Sequence, residues 1–243
     1  MKAVILAGGR GTRLAPYTTI LPKPLMPIGD RPILDIIIQQ LRHYGFSDIT
    51  LAVGYLAELL MAYFGNGERL GVNISYSREE EPLGTAGPLS LVPGLSNRFL
   101  VMNGDVLTAI DYAEMLSQHQ ASSAIGTVAV YPRSVQINLG VVEYDEQRHL
   151  TDYIEKPTHQ YQVSMGIYIF EPRVLDYIRP SVRLDLPDLV RQLVAAGETV
   201  NCYSYEGYWL DIGRPDDYQK ALADFGQLAA DLLPGKEEGH CAS

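Results

Sequence analysis

Short apolar runs alternate with segments of helical periodicity along the first part of the chain. The run at residues 3–7, Ala-Val-Ile-Leu-Ala, predicts a buried strand, and apolar side chains recur at helical spacing through 31–45. Two further strands are predicted at 49–53 and 72–76, with a helix at 56–64 between them. This alternation predicts an α/β fold in which helices cover both faces of a parallel sheet.

The second part of the chain has a different pattern. After a buried strand at 99–103 and a helix at 112–119, strand-like segments follow one another with few helices between them, at 124–131, 139–144 and 150–154. This pattern indicates a mixed or antiparallel region. We therefore expect a Rossmann-like three-layer αβα sandwich with a mixed, mostly parallel central sheet.

An amphipathic helix after Asp185, a strand at 199–205 and a helix after Pro215 complete the predicted elements. Toward the C-terminus the apolar pattern weakens and the chain ends in polar residues. We expect one domain at 1–225, followed by a tail at 226–243 that is partly disordered. The sequence contains no hexapeptide repeat of the kind that forms a β-helix domain.

Composition and charge narrow the classes of partner. The chain has 243 residues, a formal net charge of −10 and no basic run, so we expect no nucleic-acid partner. No apolar stretch approaches the roughly 18 residues of a membrane span. The two cysteines, Cys202 and Cys241, lie far apart and outside any Cys-x-x-Cys pattern, which is typical of a reducing compartment and excludes a cysteine-based zinc site. We therefore expect a cytoplasmic protein without a membrane partner.

The first predicted strand leads into a loop with the chemistry of a polyphosphate site. Three glycines open this loop: Gly8, Gly9 and Gly11. Glycine lets the backbone turn sharply, and its N–H groups can then approach an anion closely. The guanidinium groups of Arg10 and Arg13 flank the glycines, and Lys23 follows between two prolines. Such a set of donors and positive charges suits a polyphosphate ligand.

A short glycine pattern is by itself a weak signal, because an ordinary turn with solvated arginines contains the same residues. The Walker pattern does not occur here, and Leu14 stands where the dinucleotide fingerprint requires a third Gly or Ala. The chain also lacks the Gly-x-Ser-x-Gly elbow of an α/β-hydrolase. These differences argue against a P-loop protein, a nicotinamide dehydrogenase and a hydrolase.

The longer run is more specific. Gly-Gly-x-Gly-Thr-Arg-Leu-x-Pro at 8–16, followed by Pro-Lys-Pro at 22–24, resembles the signature of the sugar-1-phosphate nucleotidyltransferases, or nucleotide-sugar pyrophosphorylases. The resemblance covers about residues 1–225. It implies transfer of a nucleotidyl group from an NTP to a sugar-1-phosphate, with Arg13 and Lys23 as catalytic residues. It also implies a set of nucleotide-binding residues: Leu6, Gly8, Gly9, Gly11, Thr12, Glu79, Pro82, Gly84 and Thr85.

A magnesium site is expected from two aspartates. Asp105 follows an apolar strand and a glycine, a position suited to holding Mg²⁺ against phosphates, although such an Asp is also common in turns and helix caps. Trp209-Leu210-Asp211-Ile212-Gly213 resembles the family's second metal motif. A core tryptophan followed by a surface aspartate is the alternative for this segment. The resemblance implies that Asp105 and Asp211 together bind Mg²⁺.

The sugar side of the site is implied by motifs in the strand-rich region. Asn-Leu-Gly-Val-Val at 138–142 and Glu-Lys-Pro at 155–157 are similar to the family's sugar-binding segments. Leu139 stands where the family usually has an aromatic residue, and Ser164 stands where it often has Asn. The implied sugar-phosphate-binding residues are Asn138, Gly140, Glu155, Lys156 and Ser164.

The base and the sugar are less closely specified. Pro-Leu-Gly-Thr-Ala-Gly at 82–87 resembles the guanylyltransferases that act on mannose-1-phosphate, and Glu79 stands where thymidylyl and uridylyl enzymes usually have Gln. A carboxylate can accept hydrogen bonds from both N1–H and the exocyclic amine of guanine, which favours GTP. Backbone groups could recognise the base instead. We therefore expect GTP with mannose- or heptose-1-phosphate, and keep two alternatives: a thymidylyl-, uridylyl- or cytidylyltransferase acting on glucose-1-phosphate, and a catalytically silent regulatory relative. A symmetric homo-oligomer is the expected assembly.

Overall fold

The computed structural model describes residues 1–234, which form five α-helices and thirteen strands. The helices are α1 (Ile33–His43), α2 (Ala57–Phe64), α3 (Tyr112–Gln120), α4 (Leu186–Ala195) and α5 (Pro215–Leu232). The strands are β1 (Lys2–Ala7), β2 (Pro27–Ile28), β3 (Arg31–Pro32), β4 (Asp48–Val53), β5 (Asn73–Arg78), β6 (Phe99–Asn103), β7 (Val106–Thr108), β8 (Gly126–Gln136), β9 (Gly140–Tyr144), β10 (Leu150–Glu155), β11 (Thr158–Phe170), β12 (Val200–Ser204) and β13 (Trp209–Asp211). Short 3₁₀ turns connect several of these elements.

Seven strands form the central sheet, in the order β12-β8-β11-β6-β1-β4-β5. Strand β11 is antiparallel to both of its neighbours, β6 and β8, whereas every other neighbouring pair in the sheet is parallel. The sheet is therefore mixed and mostly parallel, as the apolar pattern predicted. The parallel strands β1, β4 and β6 end at the same edge, which carries the glycine-rich loop.

Apolar side chains fill both faces of the sheet. Along β1, Ala3 and Ile5 belong to the hydrophobic cluster on one face, while Val4 belongs to the cluster on the other, because successive side chains of a strand point to opposite faces. Buried residues of α1, α2, α3 and α5 contribute to the first cluster, and those of α4 contribute to the second. This arrangement confirms the predicted three-layer αβα sandwich.

A long two-stranded ribbon extends from the sheet. The pairing of β8 with β11 continues out of the sheet as far as Gln136 and Thr158, and β9 and β10 then pair with each other at the end of the ribbon. Nearly all side chains in this part are exposed, in contrast to the buried halves of β8 and β11 within the sheet. The antiparallel region expected from the sequence is this ribbon.

Helix α5 extends beyond the domain boundary expected at residue 225. It begins at Pro215 and ends at Leu232, and Leu232 and Leu233 are both buried. Residues 226–232 of the expected tail are therefore helical, and two leucines anchor the end of this helix in the core. Residues 235–243 of the expected tail lie outside the described residues. Neither α5 nor any other helix within 1–234 is both long and apolar enough to cross a membrane.

Candidate active site

The predicted nucleotide-binding loops meet at the carboxyl edge of the parallel strands. The Gly104 N–H, after β6, donates to the Leu6 carbonyl of β1 at 2.9 Å. The Tyr55 N–H, after β4, donates to the Gly8 carbonyl at 3.2 Å. Ligands of open α/β sheets bind at this edge, so the loops lie where the fold predicts a site.

The glycine-rich loop needs glycine at Gly11, whose φ of +59° lies in the left-handed region. The Thr18 hydroxyl donates to the Gly11 carbonyl at 2.8 Å and so fixes this turn. A Cβ atom at Gly11 would also lie 3.0 Å from Thr18 Cγ2. Gly9, in contrast, faces open space, so its backbone is accessible to a ligand.

Lys23 and Asp105 form an ion pair at the centre of the site. Lys23 is buried in a 3₁₀ turn after the glycine-rich loop, and its Nζ donates to Asp105 Oδ2. The other carboxylate oxygen, Asp105 Oδ1, is buried and has no hydrogen-bond partner within residues 1–234. An unpaired buried carboxylate oxygen is costly, so this atom is a candidate ligand for a cation or a donor group of a substrate.

The second predicted metal aspartate lies beside the first. Strand β13 pairs with β7 so that Asp211 is opposite Val106, and the Ile212 N–H donates to the Asp105 carbonyl at 3.1 Å. The structure therefore brings together two aspartates that are separated by about a hundred residues in sequence. Arg13 completes the cluster, because a Cβ atom at Gly213 would lie 3.4 Å from Arg13 Nη1.

The charged residues around Asp211 affect its pKa. Desolvation raises the pKa of the Asp211 carboxyl, although Asp211 as a whole is an exposed residue. The neighbouring charge of Asp105 raises this pKa further, while Lys23 and Arg13 act in the opposite direction. The two carboxylates therefore repel each other when both are ionised, and the two cations act against this repulsion.

Two neighbouring carboxylates, one with a buried oxygen that has no hydrogen-bond partner within residues 1–234, fit the oxygen ligands that Mg²⁺ prefers. Within the described part of the chain, no third Asp, Glu, His or Cys joins them as a metal-binding cluster. Mg²⁺ commonly keeps several waters and is bound by one or two carboxylates together with substrate phosphates. Asp105 and Asp211 are therefore sufficient as the protein's share of such a site.

Glu79 connects three strand ends on the nucleotide side. Its Oε2 accepts a hydrogen bond from the Leu83 N–H at 2.9 Å. Its Oε1 lies against Gly8 and Gly54, because a Cβ atom at these glycines would approach it to 2.9 and 3.1 Å. Gly54 was not predicted from the sequence. The available signal was its position directly after the apolar residues of β4, which corresponds to that of Gly8 after β1.

The segment around Gly84 and Thr85 is bound to the start of α4. Gly84 has a φ of +80°, and the Thr85 hydroxyl accepts a hydrogen bond from the Leu186 N–H at 2.7 Å. The Asp185 carboxylate accepts from the Thr85 N–H at 3.0 Å. From the sequence, Asp185 is predicted only to precede a helix, because Asp is common at the N-cap position.

Ser164 lies at the edge of the site, on β11. Its Oγ accepts from the Gly166 N–H at 3.3 Å and lies 3.0 Å from the Tyr168 hydroxyl. Gly166 packs against the end of β6, because a Cβ atom there would lie 2.5 Å from Asn103 Nδ2. Asn103 precedes Asp105 by two residues, so Ser164 belongs to the same part of the molecule as the aspartates.

The remaining predicted sugar-binding residues lie together on the ribbon. Glu155 pairs with Gly140 across β9 and β10, and its carboxylate forms an ion pair with Lys156 at 3.7 Å. Both charged side chains are exposed, as is that of Asn138 between β8 and β9. No hydrogen bond or ion pair within residues 1–234 connects Glu155 or Lys156 to the glycine-rich loop or to the aspartates. The structure thus places them near one another without direct contact to the aspartate cluster. Leu139, which replaces the family's aromatic residue, is also exposed.

Comparison with known proteins identifies the family to which this chain is similar. The model of the family described as "Nucleotidyl transferase" matches residues 2–227. A UTP–glucose-1-phosphate uridylyltransferase from Synechocystis is 36% identical, over 98% of this chain and 67% of its own length. The catalytic subunit beta of a mannose-1-phosphate guanylyltransferase from Dictyostelium discoideum is also 36% identical, over 91% of this chain and 64% of its own length. The chain thus spans about two thirds of the length of these relatives.

Solved structures have the same fold. The sucrose complex of a Bacillus anthracis protein assigned as a glucose-1-phosphate thymidylyltransferase matches with a TM-score of 0.74 and 25% identity, over 99% of this chain and 98% of that one. HddC from Yersinia pseudotuberculosis matches with a TM-score of 0.69 and 25% identity, over 92% of this chain and 99% of that one. The family match, the relatives and the glycine-rich signature agree. The chain therefore belongs to the nucleotidyl transferase family.

Proposed function

We propose that this chain transfers a nucleotidyl group from a nucleoside triphosphate to a sugar-1-phosphate and releases pyrophosphate. The observation that carries the proposal is the charge cluster of Arg13, Lys23, Asp105 and Asp211 beside the glycine-rich loop. Two polyanionic substrates must meet in such a reaction, and this cluster offers both cations and metal-binding carboxylates. The names of the relatives, guanylyl- and uridylyltransferases of sugar-1-phosphates, support the same reaction class.

In the proposed reaction, a phosphate oxygen of the sugar-1-phosphate attacks the α-phosphorus of the NTP in line. The new O–P bond forms as the bond from the α-phosphorus to the bridging oxygen breaks, and the electron pair leaves with pyrophosphate. The attacking phosphate is already ionised at neutral pH, so no general base is needed. Catalysis then depends on positioning the two substrates and on neutralising their charge.

The glycine-rich loop supplies the first contacts in this proposal. Backbone groups from Leu6 to Thr12 bind the triphosphate, with Gly9 open to the ligand. Arg13 stabilises the departing β- and γ-phosphates, and Lys23 stabilises the charge that develops at the α-phosphate. The burial of Lys23 supports this role, because a positive charge is more effective where water is excluded.

Enzymes of this family generally use a divalent metal ion. We propose Mg²⁺, held by Asp105 and Asp211, and the unpaired Asp105 Oδ1 supports this assignment. When bound, the ion supplies charge neutralisation at the phosphates. Asp105 itself is held by Lys23, so the lysine orients one carboxylate oxygen and leaves the other available.

The sugar-1-phosphate is proposed to bind between the aspartate cluster and the ribbon. Lys156 positions the sugar phosphate and Glu155 orients the sugar hydroxyls, with the backbone of Gly140 and the side chains of Asn138 and Ser164 as further contacts. The pairing of Gly140 with Glu155 supports a common binding surface, since both lie at the base of one hairpin. Its residues are exposed and therefore accessible to a substrate.

For the base, we propose recognition of guanine by Glu79, with Pro82 and Gly84 lining the same segment. Within residues 1–234, Oε2 of Glu79 accepts from the Leu83 N–H and Oε1 accepts no hydrogen bond, which leaves Oε1 as an acceptor for a base. GTP with mannose- or heptose-1-phosphate is therefore the favoured substrate pair. A uridylyltransferase acting on glucose-1-phosphate is the second candidate, because the Synechocystis relative carries that name.

The Glu79 assignment predicts a change of base preference in Glu79→Gln. The amide oxygen can still accept from the Leu83 N–H, but the amide nitrogen then replaces the oxygen left for the base, and it donates a hydrogen bond where guanine needs an acceptor. We expect the ratio of kcat/KM for GTP to that for UTP to fall by about tenfold. Glu80→Gln, an exposed neighbour, is the control. An unchanged ratio in Glu79→Gln would leave base recognition to the backbone.

Pyrophosphate release from a grid of substrates tests the proposed function. Five NTPs are combined with glucose-, mannose- and heptose-1-phosphate, with and without Mg²⁺. Release that requires both the sugar phosphate and Mg²⁺ is the expected result, with the highest rate identifying the base and the sugar. Binding of nucleotide sugar without turnover in any combination would instead favour a regulatory relative.

Two wider expectations accompany this proposal. A cytoplasmic location suits a reaction that consumes nucleoside triphosphates, and Cys202 is a free, exposed thiol. We also propose a symmetric homo-oligomer, the commonest state of soluble assemblies. Gel filtration with light scattering measures the assembly directly.

A further inference from the structure

The segment proposed to hold the nucleotide base is held in place by residues that precede α4. The Leu184 carbonyl accepts hydrogen bonds from the N–H groups of Ala86 and Gly87 at 2.9 and 3.0 Å. The Leu184 N–H donates to the Leu83 carbonyl at 2.9 Å. The packing is tight, since a Cβ atom at Gly84 would lie 2.5 Å from the Leu184 carbonyl oxygen. The conformation of residues 83–87 therefore depends on a segment that is distant in sequence.

Asp185 and Thr85 stabilise each other's backbone. Asp185 stands at the N-cap position of α4, but its carboxylate does not cap its own helix. It accepts instead from the Thr85 N–H at 3.0 Å, and lies 3.4 Å from the Thr85 hydroxyl. That hydroxyl in turn accepts from the Leu186 N–H at 2.7 Å and so caps the helix in place of Asp185. The exchange resembles a capping box formed between two separate segments.

Two anchors thus surround the Gly84 peptide. On one side, Glu79 accepts the Leu83 N–H, and on the other, Asp185 accepts the Thr85 N–H. The Gly84 N–H between them donates to no group within residues 1–234, and Gly84 has a φ of +80°. A backbone donor held rigidly between two carboxylate anchors is suited to a fixed acceptor on a ligand.

We propose that Asp185 is a positioning residue for nucleotide binding, which holds the backbone at Gly84 and Thr85 in the conformation that meets the base. It acts through Thr85 and does not contact the nucleotide. This proposal rests on the proposed function, because the segment has a base to bind only if the chain takes a nucleoside triphosphate. It adds a residue that the motif at 82–87 does not contain.

Nucleotide affinity measured by calorimetry tests this role independently of turnover. The probes are GTP and UTP, and the variants are Asp185→Ala, Asp185→Asn and Asp188→Ala. We expect Asp185→Ala to weaken binding of the preferred nucleotide by about tenfold, the size expected for losing a hydrogen bond to a charged acceptor. Asp185→Asn keeps an acceptor oxygen and should retain most of the affinity. Asp188 lies in the first turn of the same helix, pairs with Arg191 and is exposed, so Asp188→Ala should bind as the wild type does.

Steady-state kinetics separate positioning from general damage. In Asp185→Ala, the KM for the nucleotide should rise while kcat and the KM for the sugar-1-phosphate stay near wild-type values. An equal rise of both KM values, or wild-type nucleotide affinity in Asp185→Ala, would overturn the proposal. If Asp185→Ala does not fold, Thr85→Val removes the hydroxyl of the same pair and should weaken nucleotide binding by about threefold or more; unchanged affinity in Thr85→Val would count against the proposal.

The two proposals fail in different ways. A wild type that binds nucleotide but releases no pyrophosphate with any sugar-1-phosphate would contradict the proposed function, and the calorimetric comparison would still decide the role of Asp185. A wild type that binds none of the five nucleoside triphosphates would contradict both.

Discussion

Single residues in the site are held by opposite charges that come from distant parts of the chain. Lys23 forms an ion pair with Asp105, and Arg13 lies beside Gly213. Desolvation and the charge of Asp105 raise the pKa of the Asp211 carboxyl. Carboxylates are thereby kept close together at a cost in stability, as expected where the function requires a metal ion or a polyanion. The loss of stability caused by placing the two aspartates close together should be measurable in the absence of a ligand.

Asp211→Asn should raise the melting temperature at pH 7 when metal is removed with EDTA. Since desolvation and Asp105 raise the pKa of Asp211 in the folded state, its ionised form is less stable there than in the unfolded chain. The penalty is present above the raised pKa and disappears as the pH falls toward the ordinary value, because the folded protein then takes up the proton. The gain of the variant should therefore shrink on acidification. Thermal unfolding from pH 7 down to 4 checks this, and a gain that is independent of pH would contradict it.

Among single residues, the charged residues of the candidate site were easier to predict from the sequence than the residues that hold the neighbouring loops in place. Arg13, Lys23 and Asp105 follow apolar runs or glycine turns whose position in a parallel sheet is predictable. Gly54 and Asp185 could not be found in this way. Their roles depend on side chains that arrive from other loops, Glu79 in one case and Thr85 in the other, and sequence spacing does not reveal such contacts.

Elements of the fold show where periodicity is informative and where it is not. The central parallel strands β1, β4 and β6 are mostly apolar, and their positions were predicted within a few residues. The end of α5 was not, because Gly226 and the polar residues around it weaken the helical pattern. Two buried leucines near its end decide the outcome through tertiary packing, which overrides local propensity.

The packing of α5 predicts a large effect of Leu232→Ala. The Leu232 side chain is fully buried, so its removal leaves a cavity and should lower the free energy of unfolding by about 2–4 kcal/mol. Leu222→Ala, on an exposed face of the same helix, should cost less than about 1 kcal/mol. Urea unfolding measures both variants. Equal small effects would mean that the end of α5 is not packed as described.

Helix α3 carries a buried histidine whose charge state links its packing to pH. His119 Nδ1 lies 2.7 Å from the Thr127 hydroxyl of β8, and Nε2 lies 3.4 Å from Glu171. Burial lowers the pKa of His119, and Arg98 acts in the same direction, while Glu171 acts in the opposite one. The neutral imidazole is therefore favoured in the folded state, and the unfolded chain binds the proton more readily.

We expect this histidine to make stability pH-dependent below its ordinary pKa. The stabilisation is complete above about pH 6.5 and is lost as the pH falls toward the lowered pKa, with a slope of at most about 1.4 kcal/mol per pH unit. Urea unfolding between pH 5 and 7.5 measures the slope for wild type, His119→Gln and the exposed control His43→Gln. The slope should be smaller only in His119→Gln. If His43→Gln reduces it equally, His119 is not its source.

For the whole molecule, charge is distributed so that a strongly acidic protein carries a cationic site. The net charge is −10, yet Arg10 and Arg13 lie in the glycine-rich loop and Lys23 lies in the turn that follows it. Local cations within a concave edge of the sheet can attract phosphates despite the overall negative charge. The fold brings this loop, the aspartates and the proposed base segment to one edge, while the ribbon with Glu155 and Lys156 extends from the same sheet.

The central claim is that the cluster around Asp105 is the catalytic centre of a sugar-1-phosphate nucleotidyltransferase. The most direct test is the rate of sugar-phosphate-dependent pyrophosphate release by Asp105→Ala at saturating substrates, compared with wild type and with Asp216→Ala, an exposed aspartate at the start of α5. We expect a loss of at least about 10²-fold in kcat for Asp105→Ala and a near-normal rate for Asp216→Ala. Near-normal turnover in a folded Asp105→Ala variant would contradict the assignment of this cluster as the catalytic centre.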